Sequence, residues 1–428
     1  AARHVEAASR ALTAQATLSA GQFFSASPSL PARPPVGEWV EVDLPARVDL
    51  AGGWSDTPPV SFEAGGRVVN CAVLIDGVRP IGAKACRTDE LTLVLEEVGR
   101  APQVCRTLED MAGFDNPSSP AALLKACLVV AGLVDVSPAA PPLADQLRSG
   151  PIGAGLHIKA WSNLPKGSGL GTSSILSAAV LAAATRAAAL TYSAEALVHG
   201  VLSVEQSMAV GGGWQDQAGG LFPAFKAISS PKGLPLHVSV APLTLSPEAL
   251  TKIEAHLCVV FTGEPRLGAT LVQDVLRRWH ARLPEVVHTV ASLAATCAAM
   301  EAAVSAADVP AIGEHLSAYW QQKKQMAPEA EPPGVTRLIQ ALAPECYGCS
   351  LAGAGGGGFL LLVTKTPHAR PHVEEILRAG GFLADPVNGS NAVNGSNAGN
   401  GSSGGTASVH DISIDASDAL STTGVPRT

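Results

Sequence analysis

Apolar and polar residues alternate first at Val40, Val42 and Leu44, with Glu41 and Asp43 between them, the period of a half-buried strand. The same pattern reading predicts strands at 40–44, 67–74, 81–85, 92–95, 155–161, 237–240, 257–262 and 359–363. It predicts helices at 120–131, 173–190, 194–208, 268–279, 283–305 and 309–324. Asp308 is placed to cap the last of these, and Pro310 is tolerated in its first turn. Strands and helices do not alternate strictly, which disfavours a doubly wound parallel sheet and makes the fold class α+β.

Three segments break the pattern with glycine. The first is LPKGSGLGTSS, residues 164–174, followed at once by an alanine-rich stretch, 175–190. Gly167, Gly169 and Gly171 let the backbone approach an anion and adopt positive φ, and Thr172 and Ser173 offer capping hydroxyls. A glycine loop feeding a helix start aims N–H groups and the positive dipole end at one spot, as a phosphate cradle does. It is neither GxxxxGK[ST], since no lysine follows the last glycine, nor GxGxxG. The second segment is WVEVDLPARVDLAGGWSDTPP, 39–59, where Pro45 breaks the first strand before Arg47 and Asp49, and a glycine pair precedes Asp56. The third is LAGAGGGGFLLLV, 351–363, whose four consecutive glycines suit a backbone passing close to something else. Together they read as parts of one site.

Those segments, in that order, resemble the motifs of the galactokinase, homoserine kinase, mevalonate kinase and phosphomevalonate kinase superfamily. The wording DLAGGWSDTPP (49–59), GSGLGTSSIL (167–176), GGGWQDQAGGL (211–221), LAGAGGGGF (351–359) and NPSSPAALLKACL (116–128) is most similar to its L-fucose kinase group. The resemblance covers 36–379. It implies a two-lobed small-molecule kinase with the active site between the lobes, acting with ATP and Mg²⁺ on a sugar. It also implies an upstream GDP-fucose pyrophosphorylase domain in a longer polypeptide.

Residue by residue, the resemblance makes Asp216 the catalytic base and Arg47 the cation that neutralises the γ-phosphate and keeps that base ionised. Glycines on both sides of Asp216 let it sit tightly against a substrate. Glu205 and Ser173 match the Mg²⁺ ligands. Lys166, Gly167, Ser168, Gly169, Leu170, Gly171, Thr172, Ser173, Ser174 and Gly355 are expected at ATP. Asp56 matches an acceptor of sugar hydroxyls, with Gly213 beside it; Trp54 or Trp214 reads equally as a stacking face for the sugar or as core packing. The common superfamily form has Asn at position 49 and Glu-His at 54–55, where this chain has Asp49, Trp54 and Ser55. That disfavours galactokinase. A heptose-phosphate kinase shares much of the GGWSDTPP wording, but no cluster of lysine or arginine offers a second phosphate site. A sugar-and-ATP sensor with a retired site is the non-enzyme alternative, yet Ser173, Glu205 and Asp216 are all present.

Composition narrows the setting. A chain of 428 residues with 46% hydrophobic residues can hold one large or two ordinary domains. Its net charge of −8 argues against nucleic acid or anionic membranes as partners. No run reads as long and apolar enough to span a bilayer without polar or glycine interruption. Eight scattered cysteines read as reduced thiols of a cytoplasmic protein. Cys346 and Cys349 form a CxxC without a second pair, which favours packing over zinc.

The domain reading divides the chain into five parts. An N-terminal segment, 1–35, holds a helix at 5–20 that would close a neighbouring domain. A lobe with the ATP loop (36–230) and a second lobe (231–387) meet near 229–233. An Asn/Gly/Ser insertion, 388–406, is a flexible coil by composition, its NxS sequons polar filler. A final strand-like piece carrying Val409, Ile412 and Ile414, with the tail, fills 407–428. Exchanging residues 388–405 for a short Gly-Ser turn should change stability by less than about 1 kcal/mol in a melting experiment, since loop-closure entropy grows only logarithmically.

Overall fold

The structure, a computed structural model, describes residues 2–26, 32–208, 211–264, 268–383 and 406–420. In chain order, helix α1 (Ala2–Leu18) precedes strands β1 (Trp39–Leu44) and β2 (Ala46–Ala51), α2 (Val60–Ala64), β3 (Gly66–Ile75), β4 (Ile81–Thr88), β5 (Leu93–Glu97) and β6 (Gln103–Cys105). Then come α3 (Ala122–Val130), α4 (Leu143–Ser149), β7 (Gly155–Ser162), α5 (Thr172–Ala187), α6 (Ala194–Ser207), α7 (Gln215–Leu221), β8 (Phe225–Ser230) and β9 (Ser239–Pro242). The distal half holds α8 (Pro247–Glu254), β10 (Leu257–Phe261), α9 (Gly268–His280), α10 (Pro284–Ser305), α11 (Val309–Met326) and α12 (Pro333–Leu342). It ends with β11 (Cys346–Leu351), β12 (Phe359–Thr364), α13 (Arg370–Ala379), β13 (Ser408–His410) and β14 (Ile412–Ile414).

The strands form three sheets in an α+β arrangement. One runs β1-β4-β7-β5-β6, antiparallel except for the β5–β7 pair. The middle sheet runs β14-β3-β8-β9, with β2 also paired to β3. The third runs β11-β12-β10-β13. β2 is a strand that the pattern reading passed over. Pro45 does not end the extended chain there; it marks the corner at which the chain leaves the first sheet for the middle one, a position where a missing N–H costs no ladder bond.

Two hydrophobic cores flank the middle sheet. Leu44, Leu156, Ile175, Leu181, Leu197 and Leu202 belong to the first, to which the middle sheet sends Val68 and Ile228. Val48, Leu50, Val259, Met300, Leu316 and Leu361 belong to the second, to which the same sheet sends Val69, Val73 and Phe225. Residues 229–233 run from the end of β8 into the β8–β9 connection. Contrary to the sequence expectation, α10 is long and apolar enough, by length and composition alone, to cross a membrane. In the fold its Val286, Val290, Leu293, Cys297, Met300 and Val304 are buried at helical spacing, as in a core helix.

Helix starts follow their caps. Ser193 Oγ accepts from Ala196 N at 3.2 Å to open α6, and Asp308 caps α11 through Ala311 N at 3.2 Å. α5 stops at Ala187, three residues before its expected end; Ala189 takes φ 60° and the Leu190 N–H turns back to the Thr185 carbonyl. The N-terminal segment lies against α6: Phe24 stacks on Tyr192 with ring centroids 4.4 Å apart, and Phe23 sits 4.9 Å from both His199 and His237.

The strand-like piece after the insertion is two strands in two sheets. β13 pairs with β10 (Val260 opposite Val409) and β14 with β3 (Ile75 opposite Ile412). The insertion itself, 388–405, lies outside the described residues. Ending the chain at residue 383 would strip both sheets of a paired strand and uncover Val409's and Ile412's buried contacts. The expected outcome is a clear fall in melting temperature by calorimetry. An unchanged melting temperature would show that the staple carries no stability.

Candidate active site

The glycine loop sets the geometry. Gly169 and Gly171 both adopt φ +80°, a conformation that side chains rarely take, and the chain then enters α5, whose first-turn N–H groups have no intrahelical acceptor. Ser168 Oγ accepts from Leu170 N at 3.2 Å and lies 2.9 Å from Thr172 Oγ1, bracing the turn. From behind, Phe359 N donates to the Ser168 carbonyl at 2.8 Å. A Cβ at Gly358 would stand 2.5 Å from that same carbonyl, so the four-glycine run meets the loop there. At Gly355, expected at ATP, a Cβ would stand 3.0 Å from Ala330 and 3.3 Å from Trp320. Lys166, Gly167 and Ser173 are exposed at the loop mouth; Ser168, Gly169, Leu170, Gly171 and Ser174 are buried and Thr172 half-buried.

β2 delivers two alternate residues, Arg47 and Asp49, to a buried charge centre below the loop. The Arg47 guanidinium is 1% exposed. Its Nε donates to Asp216 Oδ1 at 2.9 Å and its Nη2 to the same oxygen at 2.5 Å; its Nη1 donates to Asp49 Oδ1 at 3.2 Å and the Gly169 carbonyl at 2.7 Å. Asp49 also accepts from Gly353 N (2.8 Å), Tyr319 Oη (2.7 Å) and Lys323 Nζ (2.9 Å). Burial alone would raise the Asp49 pKa, but Lys323 and Arg47 outweigh it and hold the carboxyl well below the usual range. Asp216 opens α7, which crosses β2 so closely that a Cβ on Gly219 would stand 2.8 Å from Arg47 Cβ. Buried Lys226 ties down the far end of α7, donating to the carbonyls of Gly219 (2.6 Å) and Phe222.

Two more carboxylates complete the cluster. Asp56 accepts from Trp54 N at 3.0 Å and Gln215 N at 3.3 Å; burial, and then the charge of Asp216, push its pKa to about 7. A Cβ on Gly213 would stand 1.9 Å from Asp56 Oδ2. On α6, Glu205 Oε1 accepts from Ser174 Oγ, while Oε2 is buried with no hydrogen-bond partner. Burial lifts the Glu205 pKa to about 8. The sequence reading pairs Glu205 with Ser173. On the helix each residue turns about 100°, which leaves Ser173 exposed and brings Ser174 to the carboxylate. An unpartnered carboxylate oxygen beside a serine hydroxyl, at the head of a phosphate-type loop, is a donor set that fits Mg²⁺. Trp54 and Trp214 are only 5% and 0% exposed, so neither presents a ring face to a sugar.

The comparisons with known proteins agree with this geometry. The GHMP kinases N terminal domain matches residues 136–223, and the GHMP kinases C terminal domain matches residues 299–382. The chain belongs to the GHMP kinases. It is 36% identical over 329 residues to the bifunctional fucokinase/GDP-fucose pyrophosphorylase of Arabidopsis thaliana, covering 76% of this chain and 30% of that protein. It is 30% identical over 341 residues to the L-fucokinase/L-fucose-1-P guanylyltransferase of Bacteroides fragilis, covering 78% and 35%. The chain thus spans about a third of the length of these curated relatives. Among solved structures, a D-glycero-D-manno-heptose 1-phosphate kinase from Bacteroides thetaiotaomicron superposes with a TM-score of 0.59 at 18% identity, covering 88% of this chain and 97% of that one. That likeness shows the fold.

In this GHMP kinase, Tyr319, Lys323 and Lys226 joined the site without a motif to announce them. Lys323 had a legible signal: with Leu316, Tyr319 and Trp320 it lies on the buried stripe of α11, where a lysine needs a counter-charge. The eight cysteines are free and buried, Cys346 and Cys349 among them. Burial raises those two thiols to about 12 and about 11, as packing residues.

Glu205 yields a pH test. Its folded pKa, about 8, lies above the ordinary value of 4.5, so protonated Glu205 favours the fold fully below pH 4.5 and that contribution is lost as pH rises through 8. Glu205→Gln should therefore raise the melting temperature in Mg²⁺-free buffer above pH 8, by an effect on the order of a few kcal/mol, and change little at pH 4.5. Equal shifts at both pH values would contradict the assignment.

Proposed function

We propose that this chain transfers the γ-phosphoryl group of ATP to the anomeric hydroxyl of L-fucose, giving L-fucose 1-phosphate. One observation carries the assignment of the base. Of the four carboxylates in the cluster, the Asp49 side chain is 0% exposed and Asp56 and Glu205 are 1% and 7% exposed, whereas the Asp216 side chain is 27% exposed. Asp216 is the most open of the four to the attacking hydroxyl. Its Oδ1 is held by Arg47, and its Oδ2 makes no hydrogen bond among the described residues.

The chemistry follows from that arrangement. Asp216 Oδ2 accepts the proton of the attacking hydroxyl as the oxygen bonds to phosphorus. Arg47 fixes the carboxylate and offers positive charge where the transferred group passes. The loop 167–171 and the start of α5 receive the phosphates. Glu205 and Ser174 would hold Mg²⁺, with Ser173 on the phosphate side; the ion supplies charge neutralisation at the β- and γ-phosphates when bound. Asp56, though already accepting two backbone N–H groups, keeps lone pairs for a sugar hydroxyl.

The fucokinase names of the two relatives support L-fucose as the sugar. The same names pair the kinase with a guanylyltransferase or pyrophosphorylase, the kind of reaction that would consume a sugar 1-phosphate. Eight free thiols support a reducing, cytoplasmic setting.

Asp216→Asn should lower turnover on the order of 10²- to 10⁴-fold, the range for loss of a general base, while ATP binding by calorimetry stays near wild type. Wild-type turnover in that variant removes Asp216 from the role. A coupled assay of ATP consumption should show a much higher kcat/KM with L-fucose than with D-galactose. A higher value with a heptose 7-phosphate gives the reaction to a heptose-phosphate kinase, and ATP binding without turnover on any sugar gives it to a sensor.

A further inference from the structure

The charge centre extends beyond Asp49 into a helix from the distal half of the chain. Asp49 uses its two oxygens differently. Oδ1 accepts from Arg47 Nη1 (3.2 Å) and Gly353 N (2.8 Å); Oδ2 accepts from Tyr319 Oη (2.7 Å) and Lys323 Nζ (2.9 Å). Tyr319 and Lys323 stand one turn apart on α11, which packs on β2 and β11. Lys323 Nζ also donates to the Leu351 carbonyl at 2.9 Å, on the strand that leads into the glycine run. The side chains of Lys323 and Asp49 are 1% and 0% exposed.

Buried charge at this density must be balanced. Arg47 and Lys323 supply two positive charges; Asp49 and Asp216 supply two negative ones. Without Lys323, Asp49 has one cation left, and both carboxylates compete for the same guanidinium. The planar guanidinium cannot tilt toward Asp49 without opening its Nε–Nη2 edge, which holds Asp216.

We propose that Lys323, assisted by Tyr319, is a positioning residue for phosphoryl transfer. By holding Asp49 Oδ2 it fixes the oxygen that anchors Arg47 Nη1, and so the guanidinium edge that orients Asp216. Lys323 touches no reacting atom. The proposal rests on the role given to Asp216 above, and it couples the distal half of the chain to the base through Asp49, which lies 274 residues before Lys323 in sequence.

The test is a cycle of Lys323→Met, Asp49→Asn and the double variant, with Tyr319→Phe and Lys323→Arg beside it. Each is measured with whichever sugar the wild type phosphorylates, so a different preferred sugar overturns the L-fucose reading alone. Lys323→Met should lose kcat on the order of tenfold or more, with KM for ATP and sugar within about threefold and kcat expressed per folded protein. Tyr319→Phe should lose less in the same sense, and Lys323→Arg should recover part of the loss. In melting experiments, which need no substrate, the double variant should be more stable than Asp49→Asn, because the single change leaves an ammonium buried without its carboxylate. Wild-type kcat in folded Lys323→Met, or additive losses of melting temperature across the cycle, overturns the proposal. If Lys323→Met does not fold, the double variant carries the kcat measurement: a loss is expected, and a wild-type value overturns it.

Discussion

A guanidinium with 1% of its side chain exposed has to find anions and acceptors inside the protein, and Arg47 is such a group. Its donors are shared among Asp216 on α7, its own strand and the carbonyl of Gly169 in the glycine loop. Those three attachments place Asp216, Asp49 and the loop within one hydrogen-bond shell of one side chain. The close crossing of α7 over β2, the corner at Pro45 and the contact of Gly358 with the loop all bring backbone near enough for that shell to close.

The rest of the cluster is electrostatically unfavourable in the free protein, and that is informative. Glu205 and Asp56 are buried carboxylates whose pKa values are raised by burial, to about 8 and about 7. Glu205 Oε2 has no hydrogen-bond partner among the described residues. A cation at that oxygen would offset the desolvation that the fold alone leaves uncompensated. By contrast, Asp49 is as deeply buried and stays ionised because Lys323 and Arg47 sit against it. Asp49 is thus satisfied by the protein, whereas Glu205 keeps one buried oxygen without a hydrogen-bond partner among the described residues. Stability and binding divide along that line.

Much of this was legible beforehand, and the exceptions have physical causes. The glycine loop could be named because glycine-rich turns stand out in a chain, whereas Arg47, Asp216 and Glu205 were marked by the resemblance of their motifs to the kinase superfamily. β2 was not legible, since a wholly buried strand carrying Arg and Asp lacks alternation, and its charges are masked by partners far away in sequence. The final segment read as one strand because three-residue strands give no period; only the sheets show that β13 and β14 serve different neighbours. Ser173 and Ser174 could not be told apart by type, only by which way a helix start faces. Trp54 and Trp214 could be read from a motif as stacking faces or as core residues, and the two cores take them in.

In the reaction we propose, Arg47 holds the Asp216 carboxylate where the attacking hydroxyl arrives. A crystal structure with L-fucose, Mg²⁺ and a non-hydrolysable ATP analogue measures it directly. The anomeric oxygen is expected within about 2.6–3.2 Å of Asp216 Oδ2, with the Arg47–Asp216 bonds intact and the analogue's phosphates on the loop 167–171. A sugar bound elsewhere, or an Asp216 carboxylate turned away from Arg47, would contradict it.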